Sequence, residues 1–185
     1  MGTSLKKVAK KAKDYEYVLL VMRHAKTEPF GNGGDAGREL TDKGRKQAKA
    51  VAKGLVEHKM MPSRIACSSA TRARQTCDRM LKVFGEDPKV DYRQSLYEDG
   101  VQSVFDELAQ TKDKHHVLLV LGHEPTVSVA CQWIASSESD SSLLDMLNLG
   151  MSPASIAVFG SNVPFNQWQL HEGELIALLT AKDFS

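Results

Sequence analysis

The chain has 185 residues, 42% of them apolar, and 24 basic side chains balance 23 acidic ones to a formal charge of +1. That length supports one domain with a substantial core rather than two, and the even charge excludes the strongly basic make-up of a general nucleic-acid or membrane-surface binder. The longest apolar runs are too short to span a bilayer, and none reads as the core of a signal peptide.

Residues 1–15 carry Lys6, Lys7, Lys10, Lys11 and Lys13. They read as a basic, solvated and flexible leader to a domain over 16–185, the alternative being a short amphipathic helix that touches a membrane or partner. Tyr17 to Met22 is a continuous apolar run, the pattern of a strand buried on both faces inside a parallel sheet, and it ends at Arg23-His24. Glu28 to Leu40 is rich in glycine, with Pro29 and Asn32, and reads as a functional loop. Thr41 is a helix N-cap with Asp42 in the first turn, and Ala48, Val51, Ala52, Leu55 and Val56 follow at helical spacing. Ile65-Ala66-Cys67 is a second short strand, running into Ser68-Ser69 and a helix marked by Ala73, Thr76, Cys77, Met80, Leu81 and Phe84. A weak strand near Val90 precedes Leu96 to Gly100 and a helix with Val101, Val104, Phe105 and Leu108 on one face. His116 to Gly122 is the third strong strand, leading into His123-Glu124-Pro125 and a helix carrying Val127, Ala130, Cys131 and Ile134. Ser136 to Ser142 reads as a polar loop, and Ser155–Phe159 and Trp168–Glu172 as two strands joined by a turn. Trp133 and Trp168 read as packing residues. Cys67, Cys77 and Cys131 form no Cys-x-x-Cys pair and lie in apolar segments, as expected of buried reduced thiols in a cytoplasmic protein. The alternation of strands and helices predicts a single three-layer α/β/α domain with a mainly parallel central sheet.

In such a sheet the carboxyl ends of the strands share one edge, where ligands bind. Arg23-His24, Ser68 to Arg72 and Gly122-His123 all fall there. Two arginines, two histidines and two helix N-termini suit a dianion, and a phosphoryl group fits them. No Gly-x-x-x-x-Gly-Lys sequence is present, so a nucleotide P-loop is not the explanation. His58, His115, His116 and His171 show no ligand spacing, so neither a metal nor a cofactor is implied. Thr27 is placed to hydrogen-bond a phosphoryl group from the loop after His24, and Lys26 to assist a charged substrate from the rim.

Taken together these elements resemble the histidine phosphatase superfamily, which contains the cofactor-dependent phosphoglycerate mutases. Arg23-His24-Ala25 is similar to its Arg-His-Gly signature, with alanine for glycine. Leu40-Thr41-x-x-Gly44-x-x-Gln47-Ala48 resembles the opening of its first helix. Ser68-Ser69-Ala70-Thr71-Arg72-Ala73-x-Gln75-Thr76 resembles its Ser-Ser-Pro-x-x-Arg-Ala-x-Gln-Thr block, with alanine for proline, and Gly122-His123 its late Gly-His element. The resemblance implies a phosphoglycerate mutase-like fold and a metal-independent phosphatase. His24 would be the nucleophile that carries a transient phosphohistidine, and Arg23, Arg72 and His123 would hold the phosphoryl oxygens. Leu96-Tyr97-Glu98 resembles the Leu-x-Glu element that supplies the proton donor in the mutase branch, making Glu98 the candidate acid, with Asp99 and Glu124 as rivals. The short gaps between elements resemble the compact SixA-type branch, whose substrate is phosphohistidine on a signalling protein. Two alternatives stand beside that reading: a phosphomonoesterase or mutase acting on small phosphoesters, and a silent phosphate- or phosphoprotein-binding module.

Overall fold

The apolar run at Tyr17 forms β1 (Tyr17–Arg23) in the computed structural model, which describes residues 4–184. Alternate side chains along a strand point to opposite faces, and here both faces are covered. Val18, Leu20 and Met22 enter one core cluster, while Tyr17, Leu19 and Val21 enter a second on the other side of the sheet. Six strands form that sheet, in the order β3 (Lys89–Arg93), β2 (Arg64–Ser68), β4 (Val117–Gly122), β1, β5 (Ile156–Ser161), β6 (Glu174–Leu179). The first four in that order run parallel, and β5 and β6 are added antiparallel at one side. The architecture is thus the mainly parallel α/β/α domain expected of the sequence.

Helices cover both faces. α1 (Leu5–Ala12), α2 (Asp42–Glu57) and α3 (Thr71–Phe84) pack on the first cluster. α5 (Val101–Gln110), α6 (Thr126–Ile134) and α7 (Ser141–Asn148) pack on the second, and α4 (Ser95–Glu98) is a single turn between β3 and α5. Thr41 caps α2 as anticipated, its Oγ1 accepting the Gly44 N–H at 3.0 Å. Gly44 is required by proximity: a Cβ there would fall 2.1 Å from the carbonyl oxygen of Lys26, on the loop that follows His24.

Three expectations are corrected. The leader expected to be flexible over 1–15 is folded from residue 4 onward, residues 1–3 lying outside the described residues. Ser4 caps α1 through the Lys7 N–H, and Val8, Ala9 and Ala12 are buried in the first cluster. These small side chains form a narrow apolar stripe, which the surrounding lysines mask in composition. The strand expected at Trp168–Glu172 instead begins at Glu174. His171 has φ of 63°, a left-handed conformation that cannot continue a strand, and the Trp168 indole N–H donates to the Val163 carbonyl at 2.6 Å. The polar stretch at Ser136–Ser142 contains the start of α7, with the Asp140 carboxylate accepting the Ser142 N–H at 2.8 Å, so capping residues look like loop residues in sequence. Trp168 is buried and Trp133 half-buried, within the expectation of packing residues. All three cysteines are buried free thiols, and among the described residues no helix is long and apolar enough to cross a membrane.

Candidate active site

Because β2, β4 and β1 are neighbours, their carboxyl ends bring the sequence-predicted residues into one cluster. His24 follows β1 directly and is held by its backbone, its N–H donating to the Gly122 carbonyl at 3.1 Å and its own carbonyl accepting from Ala154 N–H at 3.0 Å. The ring is 5% exposed. Its Nδ1 lies 2.8 Å from the Ala25 carbonyl oxygen. A carbonyl only accepts, so Nδ1 carries the proton and Nε2 presents a lone pair. Burial lowers the ring's pKa from 6.5 to about 3, and although the Ala25 bond opposes this, His123, Arg72 and Arg23 add to it. His24 is therefore neutral at pH 7.

Arg72 sits in the first turn of α3 and is 6% exposed. Its Nε lies 3.3 Å from His24 Nε2, so one edge of the guanidinium faces the lone pair. His123 follows β4; its ring centroid is 5.2 Å from that of His24, and its Nε2 is 2.7 Å from Ser68 Oγ at the end of β2. Burial, followed by the charge on Arg72, lowers the His123 pKa to about 4. Arg23 donates from Nη1 to the Met151 carbonyl at 2.9 Å. Behind it, the Glu124 carboxylate accepts the Ser128 N–H at the start of α6 and the Met151 N–H; burial lowers the arginine's pKa, and the Glu124 charge opposes that shift.

Among the described residues, the buried side-chain polar atoms with no hydrogen-bond partner are Arg23 Nε and His123 Nδ1. A buried polar group left unpaired costs about 1–3 kcal/mol, so such groups are rare outside functional sites. Both belong to this one cluster. Arg23 Nε is a donor, and His123 Nδ1 donates whenever Nε2 accepts from the Ser68 hydroxyl, so the pair is suited to the oxygens of an anion.

Around this core lies a rim that the sequence did not reveal. Asp35, in the glycine-rich loop, receives the outer edge of Arg72: Nη1 donates to its carbonyl at 2.8 Å and Nη2 to its Oδ2 at 3.1 Å. The Tyr97 hydroxyl also donates to Oδ2, at 2.7 Å, and Arg38 Nη1 approaches Oδ1 at 3.4 Å. The Tyr97 hydrogen bond and the Arg72 guanidinium hold the Asp35 carboxyl at a pKa of about 2 despite a partial burial that opposes them. The Tyr97 ring stands edge-on to His123, centroids 5.4 Å apart, and the Arg72 guanidinium carbon is 5.7 Å from the Tyr97 centroid. Thr76 is the other unanticipated support: its Oγ1 accepts the Ala25 N–H at 3.1 Å and donates to the Arg72 carbonyl at 2.8 Å.

The remaining candidates lie outside the core. Glu98 is exposed on α4, its carboxylate accepting from Gln94 Nε2 at 2.7 Å, and it touches none of Arg23, His24, Arg72 or His123; Asp99 is likewise exposed. Its neighbour Tyr97 is the residue of the Leu-x-Glu element that enters the site. Thr27 Oγ1 accepts from Arg38 Nη2 at 2.6 Å, which makes it part of the rim. Lys26 is exposed and lines a separate surface hollow of about 640 Å³ with Lys43 and Ser152. Among the described residues no group of three or more His, Cys, Asp or Glu is placed to hold a metal ion.

Comparison with known proteins agrees with this geometry. The model of the histidine phosphatase superfamily (branch 1) matches residues 19–98. An uncharacterised protein of Mycobacterium tuberculosis is 33% identical over 138 residues, 74% of this chain and 85% of its own length. A structure from Nakamurella multipartitia, provisionally named as the phosphohistidine phosphatase SixA, is 28% identical with a TM-score of 0.73, covering 88% of this chain and 94% of that one. The protein histidine phosphatase SixA complexed with tungstate shares the fold at 19% identity, with a TM-score of 0.73 over 91% of this chain and 99% of its own.

Proposed function

The chain belongs to the histidine phosphatase superfamily, and on that premise we propose that it removes the phosphoryl group from phosphohistidine on a protein, through a transient phosphohistidine of its own on His24. The observation that carries the reading is the pair of unpartnered buried nitrogens, Arg23 Nε and His123 Nδ1, on an arginine whose charge acts on His24 and a ring that neighbours it. Phosphoryl oxygens seated between them would satisfy both nitrogens and gain charge-assisted bonds. The Nε2 lone pair attacks phosphorus in line, the bond to the leaving group breaks, and the electron pair departs with the leaving nitrogen or oxygen. Water then cleaves the Nε2–P bond. His24 recovers its lone pair, and the water's protons pass to orthophosphate and solvent. Arg72, with its inner edge facing Nε2, holds the charge that gathers on the equatorial oxygens.

The preference for phosphohistidine rests on the acid inventory. An alkoxide leaving from a phosphoester needs a proton from a general acid. Two carboxyl groups are bonded at the site: Glu124, behind Arg23, has both oxygens accepting from the Ser128 and Met151 N–H groups, and Asp35, at a pKa of about 2, is ionised and has no proton to give. Glu98 is exposed and bonded to Gln94. An imidazole leaves readily once its own ring is protonated, so a site furnished in this way suits a phosphoramidate. Three buried thiols fit a reducing, cytoplasmic setting.

The test is phosphate release, with chelator present, from a phosphohistidine-bearing protein and from an aryl phosphate, with His24→Ala run alongside. The reading expects release from the phosphoprotein at the higher kcat/KM, acid-labile phosphate trapped on the wild-type chain, and neither in the variant. Release that persists in His24→Ala would overturn the assignment of the nucleophile. A higher kcat/KM on the ester would overturn the choice of substrate. Glu98→Gln should change turnover of either substrate by less than about twofold, as for other exposed polar groups remote from the chemistry; a large loss on the ester alone would restore Glu98 as proton donor.

A further inference from the structure

We propose that Asp35 is a specificity-determining residue, whose fixed negative charge at the mouth of the site selects phosphoryl groups carried on a cationic imidazole over those carried beside an anionic group. The inference rests on the phosphatase reading above and concerns which leaving group that site prefers.

The carboxylate is half exposed and lies across Arg72 from His24. His24 Nε2 faces the inner edge of Arg72, and Asp35 takes the outer edge of the same guanidinium. A group attacked in line by Nε2 expels its leaving atom on the side away from His24, toward the mouth. Asp35 is about half exposed there, its side chain 53% accessible, whereas Arg72 beneath it is buried. Its Oδ2 is engaged twice, by Tyr97 and Arg72, but Oδ1 has only the long 3.4 Å contact from Arg38. Oδ1 therefore keeps spare acceptor capacity.

The chemistry follows from charge. In a phosphohistidine protonated on its second ring nitrogen, that N–H⁺ can donate to Oδ1. The carboxylate then favours the protonated ring, the P–N bond breaks, its electron pair returns to the ring nitrogen, and neutral imidazole departs still carrying the second proton. No proton is drawn from the protein. A substrate with a carboxylate next to its phosphoryl group meets the same charge as repulsion. The carboxylate also competes with phosphoryl oxygens for Arg72 Nη2, so it weakens the binding of bare anions. The hold of Asp35 on Arg72 does not depend wholly on its charge, since Nη1 bonds the backbone carbonyl.

The experiment uses the full chain and Asp35→Asn, which keeps side-chain size and the backbone contact. Turnover is measured on phosphoimidazole and on 3-phosphoglycerate, and orthophosphate binding is measured by calorimetry. Asp35→Asn should lower kcat/KM for phosphoimidazole about tenfold and raise it about threefold for 3-phosphoglycerate, the scale of one partly screened charge. Asp35→Glu should recover the preference for phosphoimidazole. An equal loss on both substrates would mean that Asp35 only positions Arg72, and would overturn the inference, as would no change on either or a failure of Asp35→Glu to rescue. The binding arm needs no turnover: orthophosphate should bind Asp35→Asn about threefold more tightly, and unchanged or weaker binding overturns the charge effect. Wild-type protein that turned over neither substrate would sink the phosphatase reading instead, and the binding arm would then judge the charge effect on its own.

Discussion

Burial keeps the imidazole of His24, the proposed nucleophile, neutral. Its protonated form cannot attack, so activity is lost only as pH falls through the folded-state pKa, which burial has moved from 6.5 to about 3. Once the substrate's own ionisation is allowed for, kcat/KM should stay level from pH 8 to pH 5, where an unburied histidine would lose most of its activity; a limb near 6.5 would refute the neutral, enclosed imidazole. Ser68 is the support to remove next. Its Oγ bonds His123 Nε2 at 2.7 Å and accepts the Ala70 N–H at 3.2 Å, so Ser68→Ala frees the ring whose Nδ1 faces the anion. Losing such a buried bond costs about 1–3 kcal/mol, or roughly ten- to a hundredfold in kcat/KM, and steady-state kinetics on a phosphohistidine protein would measure it. The core of the site was legible because Arg23, His24, Arg72 and His123 each follow a strand whose apolar pattern is plain, and strand ends in a parallel sheet have a known destination. Asp35, Arg38 and Tyr97 were not, because they arrive from a glycine-rich loop and a single-turn helix whose paths no local pattern records. The Leu-x-Glu element illustrates this: successive residues on a helix point about 100° apart, so Tyr97 reaches Asp35 while its neighbour Glu98 faces out to Gln94.

Among the elements, α1 carries the clearest wager. Val8, Ala9 and Ala12 are buried against the first core cluster, on helices and strand residues remote from the rim of the site. Val8→Asp places an unpaired carboxylate in that packing and should lower stability by about 2–4 kcal/mol, seen as a drop in Tm, while turnover per folded molecule is unchanged. An undisturbed Tm would mean that α1 does not dock. Gly44→Ala is a sharper test of α2. With a Cβ due 2.1 Å from the Lys26 carbonyl oxygen, either the helix or the loop after His24 must move, and overpacking of this kind costs about 1–3 kcal/mol. Both Tm and kcat should fall together, because that loop is continuous with the nucleophile. Long periodic elements such as α2 and α3 could be read from sequence, and so could the double-sided burial of β1. The elements missed, α4 and α7, and α1, which reads from sequence only as the alternative to a flexible leader, are all short, and α1 and α7 open on a serine or aspartate cap that composition alone assigns to loop.

For the molecule as a whole, enclosing two neutral histidines has a thermodynamic consequence. His24 and His123 have folded pKa values of about 3 and 4 against 6.5 when exposed. Below pH 6.5 the unfolded chain binds protons that the folded chain does not, so stability present above 6.5 drains away as pH falls toward 4. At pH 5 that amounts to about 2 kcal/mol for each histidine. The fall in Tm between pH 7 and pH 5 should therefore be clearly smaller in a His24→Asn/His123→Asn double variant than in the wild type; equal falls would place the acid sensitivity elsewhere. The order of strands has another outcome, played out while the chain is being made. β1 lies in the middle of the sheet, yet Val18 pairs with Val117 on one side and Gly160 on the other. The run Val18–Met22, apolar, uncharged and free of proline, leaves the ribosome well before Val117 and Gly160 and waits for them. Until then it is a sticky, unsatisfied strand of the kind that nucleates aggregates or engages chaperones. The segment that carries His24 is thus also one whose exposure the cell must manage.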